Sequence, residues 1–239
     1  MKKRHTLFAA IAVCLVAVLA MGSLAYFTAN KESSNSFRMA VYDPNNPDAP
    51  VNPDQLFSIK LTETGISTVP GVINGATNGN GGMIYTDVAP GLTYAKDPKV
   101  ENTGKYDQWV RVKVTFTKYN AWKAAMQKYD ATRDKELDVA LLGGISNAWT
   151  KGTAQSDTVI DTTADTITYT YYLNTALAAA NGSAPAGTST LFTTFTFPET
   201  FSVEDISTLP EFKINLVAEA IQAAHTGSSA IDAFRDYWR

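Results

Sequence analysis

Val110-Arg111-Val112-Lys113-Val114-Thr115-Phe116-Thr117 alternates apolar and polar residues without a fault. Successive side chains of a strand point to opposite faces, so this run sets three valines and a phenylalanine against charges and threonines. The same period of two recurs on both sides of it. Phe57, Ile59 and Leu61 alternate with Ser58, Lys60 and Thr62, and Ile167, Tyr169, Tyr171 and Leu173 with Thr168, Thr170 and Tyr172. Leu191, Thr193, Phe195 and Phe197 continue it, followed by Phe212, Ile214, Leu216 and Ala218 against Lys213, Asn215 and Glu219. One buried face per strand predicts antiparallel sheets packed on a shared core. Threonine, tyrosine and valine are the residues that pleated surfaces favour. The expected fold is mainly β, an antiparallel β-sandwich.

Two segments switch to a helical period. Trp122, Ala125, Met126 and Tyr129 fall on one stripe of a short amphipathic helix within 119–130, where a core role is expected. Ser229-Ala230-Ile231-Asp232 reads as a capping box opening a terminal helix over 229–238, with Ile231, Phe234 and Trp238 on one face. Both helices are expected to act as lids on an edge or end of the sandwich. Leu177 to Ala180 is alanine-rich and suits a brief turn. The prolines of Asp43-Pro44-Asn45-Asn46-Pro47-Asp48-Ala49-Pro50-Val51-Asn52-Pro53 exclude a helix or central strand there. Asn74 to Gly82 is a second loop, flexible by its glycines and asparagines.

The N-terminus reads Met1-Lys2-Lys3-Arg4, an apolar run from Leu7 to Met21, then Gly22-Ser23-Leu24-Ala25-Tyr26-Phe27-Thr28. A basic start, an apolar middle and a small-residue exit make a secretory signal peptide. Ser23 at −3 and Ala25 at −1 place cleavage between Ala25 and Tyr26. Left uncut, the run would approach the ~18–20 apolar residues that span a bilayer, although Gly22 and Ser23 interrupt it. Membrane contact is therefore expected only through the uncleaved signal. Residues 26–239 are expected to form one exported domain.

Cleavage removes Lys2, Lys3 and Arg4 and no acid, so 20 basic and 23 acidic residues become 17 and 23, and the formal charge moves from −3 to −6. Cys14 and His5 leave with the same segment. Without cysteine the exported chain forms no disulfides, and burial has to hold it together. Negative charge with no basic cluster argues against nucleic acid as a partner.

Catalytic chemistry finds little to stand on. A zinc site of the H-E-x-x-H kind needs paired histidines, and His225 is alone. Asp43, Asn45, Asn46 and Asp48 form a weak calcium candidate, since the prolines break the regular ligand spacing and no closing glutamate follows. No G-x-S-x-G elbow is present, and no exported cysteine remains to pair with His225. Asp157, Asp161 and Asp165 recur every four residues, which suits an exposed face or turns better than an acid–base pair. A glycosidase pair placed by the fold stays open. No cofactor is expected.

Three stretches carry a family resemblance. Gly22-Ser23-Leu24-Ala25-Tyr26-Phe27-Thr28 resembles the signal exit of the TasA/camelysin family. Ala89-Pro90-Gly91-Leu92-Thr93 through Lys96-Asp97-Pro98-Lys99-Val100-Glu101-Asn102-Thr103-Gly104 is similar to its "P-G … K … V-x-N-T-G" signature. Ala218-Glu219-Ala220-Ile221-Gln222-Ala223 resembles its "A-E-A-[VI]-Q-A" last strand. The resemblance implies a jelly-roll-like sandwich, processed by a dedicated SipW-type signal peptidase and exported to a Gram-positive cell surface or biofilm matrix. It further implies self-association into fibres through an exchanged N-terminal strand, here within 26–42, with Phe37, Met39 and Val41 as the docking face. Pairing of that strand within its own subunit is the alternative. The reading is thus a secreted structural protein rather than an enzyme. Two alternatives remain: a camelysin-like secreted metalloprotease, for which the histidine pair is missing, and a surface adhesin binding through loops near Asn45 or Asn78.

Overall fold

The computed structural model describes residues 58–77, 82–86, 88–130, 132, 135–180, 186–209, 211–224 and 226–236. Ser23, Ala25 and Tyr26 of the leader exit, Phe37, Met39 and Val41, Asp43, Asn45, Asn46 and Asp48, and also His225 and Trp238, lie outside these residues. The described chain is mainly β, with several antiparallel sheets and four short helices.

The faultless alternation at 110–117 forms β7 (Gln108–Thr117), whose side chains are alternately buried and half-buried along its whole length. It is central to a five-stranded antiparallel sheet. On one side it pairs with β14 (Ile214–Gln222), from Ile214 opposite Phe116 to Gln222 opposite Gln108. On the other it pairs with β11 (Thr166–Leu173), from Thr166 opposite Thr117 to Tyr172 opposite Arg111. The far edge of β11 is shared by β9 (Trp149–Lys151) and β10 (Thr158–Asp161).

The second layer is more broken. β1 (Ile59–Thr62), β6 (Lys99–Asn102) and β12 (Ala186–Thr190) form one three-stranded sheet. β2 (Val72–Ile73), β5 (Thr93–Ala95), β13 (Thr194–Thr196) and β8 (Leu142–Gly143) form a four-stranded one, in which only β2 and β5 run parallel. β5 leads into β6 through Lys96-Asp97-Pro98, and β12 into β13 through Leu191-Phe192-Thr193. The two bends are stitched by Lys96 N–H to Thr193 C=O (2.9 Å) and Leu191 N–H to Pro98 C=O (2.9 Å). A small hairpin, β3 (Ala76–Thr77) with β4 (Met83–Ile84), lies between β2 and β5 in sequence.

Val110, Val112, Val114 and Phe116 of β7, Ile167, Tyr169, Tyr171 and Leu173 of β11, and Leu216 and Ala218 of β14 share one core with Ile59, Leu61, Tyr94, Val100, Leu191 and Phe195 of the second layer. Helix α1 (Tyr119–Tyr129) adds Trp122, whose indole stacks on Phe197 at 5.7 Å and meets Phe212 edge-on at 4.9 Å. The turn into α1 uses Lys118 in a left-handed conformation (φ 63°). Its first amides are capped from the neighbouring hairpin: Tyr119 N–H donates to Asp165 C=O (3.0 Å) and Asn120 N–H to Asp165 Oδ1 (2.8 Å). Helix α2 (Leu137–Leu141) and helix α3 (Val203–Thr208) follow later in the chain.

Several expectations change. Leu191, Thr193, Phe195 and Phe197 do not form one strand, because Leu191 and Phe192 are both buried and the chain bends between β12 and β13. Leu177 makes an extended bridge to Gln108 rather than a helical turn. Thr170 and Tyr172 of β11 are buried although they face away from the main core. Tyr172 is covered by helix α4 (Ala230–Asp236), capped by Ser229, whose Oγ accepts from Asp232 N–H (3.2 Å). It does not close an edge or end. It lies on the outer face of the five-stranded sheet, where Ala230, Ala233 and Phe234 pack with Tyr172 and Ile221, and Ile231 and Trp109 border them. The Arg111 guanidinium sits 4.4 Å from the Phe234 ring centre, a cation–π contact that pins the helix.

Candidate functional site

The signature strand β6 ends in Asn102, and the side chain of that residue organises the turn after it. Asn102 Nδ2 donates to Tyr106 C=O (2.8 Å) and Leu177 C=O (3.1 Å). Its Oδ1 accepts from Gly104 N–H (2.8 Å) and Gln108 Nε2 (2.7 Å). An asparagine amide has two donor hydrogens and one acceptor oxygen, so both ends are in use. Gln108 Nε2 also reaches Ser58 C=O at 3.2 Å. Both side chains are fully buried, which makes each bond costly to lose. The network ties β1, β6, β7 and the 177–180 segment together. Asp107 extends it, its Oδ1 accepting from Ala179 N–H (2.8 Å) and its C=O from Ala223 N–H (2.8 Å).

Beside this turn lies an open, shallow concavity of about 490 Å³, lined by Lys105, Tyr106, Asp107, Gln222, Ala223 and Ala224. The V-E-N-T-G turn and the A-E-A-I-Q-A strand, far apart in sequence, thus meet at one end of the sheet. The P-G that opens the stretch ending in V-E-N-T-G is a turn: Pro90 and Gly91 occupy its corner, Leu92 N–H returns to Ala89 C=O (3.2 Å), and Gly91 has φ 73°. That geometry is a type II turn, where glycine avoids a steric clash.

The buried charges lie elsewhere, and each fixes an element. Asp138, fully buried in α2, holds Lys151 Nζ at 2.7 Å and accepts from the Tyr171 hydroxyl at 2.5 Å. Burial, and then the Asp138 charge, push the Tyr169 and Tyr171 phenols far above their usual range. Asp157 accepts from the Tyr172 hydroxyl (2.7 Å), Ala154 N–H (2.9 Å) and Arg235 Nη2 (3.2 Å), so it joins α4 to the sheet. Asp205 accepts from Lys128, Tyr129 and the Ser202 hydroxyl and N–H. These bonds, the Lys128 one foremost, hold its carboxyl well below the usual carboxylate range. Lys96 and Glu63 pair at 2.8 Å with both side chains buried. Asp97 accepts from Thr64 N–H, Thr64 Oγ1 and Gly65 N–H, each at 2.7 Å. On the sheet's outer face Glu219 bridges Arg111 and Lys113, the latter at 2.7 Å.

The aspartate series separates on inspection. Asp161 folds its own hairpin by accepting from Thr163 and Ala164 N–H (2.9 Å each), and Asp165 caps α1. Asp157 does take a turn role, closing the 155–157 turn against Ala154, but it is buried rather than exposed because Tyr172 and Arg235 reach it from other elements. Asp138 gave no signal in sequence. Asp205 did: Ser202-Val203-Glu204-Asp205 is a capping box, and Asp205 N–H donates to Ser202 Oγ at 3.1 Å.

Among the described residues no group of three or more histidines, cysteines, aspartates or glutamates is placed to hold a metal ion. Among them, too, no helix is long and apolar enough to cross a membrane. No protein-family model matches the chain, and no curated protein matches it.

Proposed function

We propose that this chain is an exported, non-enzymatic structural protein of a cell surface or extracellular matrix, of the TasA/camelysin kind, with its sheets in a jelly-roll-like sandwich. Cleavage between Ala25 and Tyr26 frees the segment 26–42, and Phe37, Met39 and Val41 dock it on a sheet edge of a second copy. One observation carries this reading: the buried charges are committed to architecture. Asp138, Asp157, Asp205 and the Lys96–Glu63 pair each join one strand or helix to another. A chain whose internal polar groups lock strands is suited to bearing load through its backbone edges.

The test is electron microscopy and sedimentation of the secreted protein lacking residues 1–25, beside a version also lacking 26–42. Polymers are expected from the first and monomers from the second. A permanently monomeric mature protein overturns the reading, and metal in stoichiometric amount with chelator-sensitive proteolysis would replace it by the metalloprotease alternative.

A further inference from the structure

Lys96 and Glu63 form the most enclosed ion pair among the described residues, with side chains 8 % and 3 % exposed. Glu63 follows β1 directly, and Lys96 follows β5. Lys96 Nζ lies 2.8 Å from Glu63 Oε1 and 3.1 Å from Oε2, but it donates its hydrogen bond to Oε2. Oε1 is buried and finds no hydrogen-bond partner among the described residues. The ammonium is under-served as well. It carries three donors, and Oε2 is the one acceptor it reaches among those residues. Two ions taken out of water with bonding capacity left over are poorly compensated, because their attraction alone does not offset the desolvation of both.

The surroundings hold the two groups in place. Asp97, next to Lys96, accepts from Thr64 N–H, Thr64 Oγ1 and Gly65 N–H, the residues next to Glu63. Lys96 N–H is itself fixed on Thr193 C=O (2.9 Å). Gly65 leaves room for a cover: a Cβ there would lie 2.6 Å from the Met83 side chain and 3.2 Å from the Tyr85 hydroxyl. The Tyr85 hydroxyl donates to Ala95 C=O, and its ring centre lies 5.7 Å from Lys96 Nζ. Burial, and then the charges of Glu63 and Asp97, push that phenol far above its usual range.

An atom this near to both oxygens of one carboxyl lies no farther than about 3.5 Å from the carbon between them, the spacing of a near-attack pair. The last torsion of a glutamate is soft, so the carboxyl can turn its face to the amine while both backbones stay fixed.

We propose that Lys96 and Glu63 condense to an amide, an internal covalent cross-link between the end of β1 and the corner joining β5 to β6. One ammonium proton passes to the carboxylate, leaving a neutral amine and a neutral acid. The Nζ lone pair forms a bond to Cδ, and the bond from Cδ to the protonated oxygen breaks. That oxygen leaves as water with a second proton from the amine, and the third proton stays as the amide N–H. The balance closes on the chain's own atoms. Burial favours each stage, since a low dielectric penalises the ion pair more than the neutral pair, and the amide removes both charges. Groups held at this spacing react with effective concentrations of up to about 10⁵–10⁸ M, which offsets the low reactivity of a carboxylic acid. Residues 15–239 contain no cysteine, so the amide closes the 63–96 loop where a disulfide is impossible.

The experiment is intact-mass spectrometry of the folded chain lacking residues 1–25, followed by proteolysis and sequencing of the fragments. The mass should fall one water short of the sequence, and one branched fragment should join the peptide of Glu63 to that of Lys96. Lys96→Arg keeps the charge but cannot form the amide, so it should show its full sequence mass and a lower thermal midpoint. Wild type of full mass overturns the inference, whether or not the variant folds, and leaves an ordinary ion pair. A lost water that maps to another fragment, such as an aspartyl succinimide, overturns it as well. None of these readouts needs a polymer, so the proposed self-association stands or falls separately.

Discussion

The two layers solve the same problem by different means. In the five-stranded sheet, β7 keeps one unbroken register against β14 for nine residue pairs and against β11 for seven. In the second layer, β5–β6 and β12–β13 are interrupted ribbons, and β12 shifts register against β6 between Ala186 and Thr188. The first layer rests on repeated side-chain alternation, which positions every backbone bond at once. The second rests on particular side-chain-to-backbone bonds, Asn102, Gln108 and Asp97 above all, that hold the chain where it departs from the ladder. Regular pairing distributes its stability, and irregular pairing concentrates it in a few polar residues.

That contrast can be broken at either end. Phe116→Ala empties a fully buried site at the centre of the regular sheet and should cost about 3–5 kcal/mol, read from chemical denaturation. A loss under 1 kcal/mol would mean the five-stranded sheet is not the principal source of stability. Asn102→Ala removes no large volume but leaves the buried Gly104 N–H without its acceptor, takes the Nδ2 donor from Tyr106 C=O and leaves Leu177 C=O with only the Gln108 N–H, and should cost about 1–3 kcal/mol. Hydrogen exchange should then rise selectively at residues 103–108 and 177–180, with β7 beyond Val110 protected. Uniform exchange across both layers would erase the distinction.

The smallest effect is one of pH, and it has opposite limbs. Tyr169 and Tyr171 have raised folded values, so the folded chain keeps protons that the unfolded chain releases above about pH 10. Their contribution is complete below that pH and declines as pH climbs past it. Asp205 has a lowered folded value, so its contribution is present above the ordinary carboxylate range and disappears as acid carries the pH down through it. Asp205→Asn should flatten the acid limb and leave the alkaline limb unchanged. Thermal midpoints measured across pH for both chains check this, and a parallel loss on both limbs would contradict it.

How much was legible follows the same division. β7, β11, β14, α1 and the cap of α4 lie plainly in the sequence, because period two, period 3.6 and Ser-x-x-Asp are local signals. The bend at Leu191–Phe192 was not, since alternate spacing says nothing when the core wraps both sides of a chain. Asp97 and Asn102 were visible within a motif, but their bonds to Thr64, Gly65, Tyr106 and Leu177 span distances that no window of sequence contains. Asp157 looked like a surface residue until Arg235, far along the chain, closed over it.

By itself the sequence determined an alternating body whose single cysteine allows no internal disulfide, so that burial has to hold it, and it located the three long strands of one layer to within a few residues. Only tertiary structure decided which polar residues would be buried, which strands would lie at the margins, and that the last helix would cover a sheet face rather than an edge. The reason is physical: alternation fixes which side of a strand is apolar, whereas the neighbour that covers that side is selected by packing among segments distant in the chain.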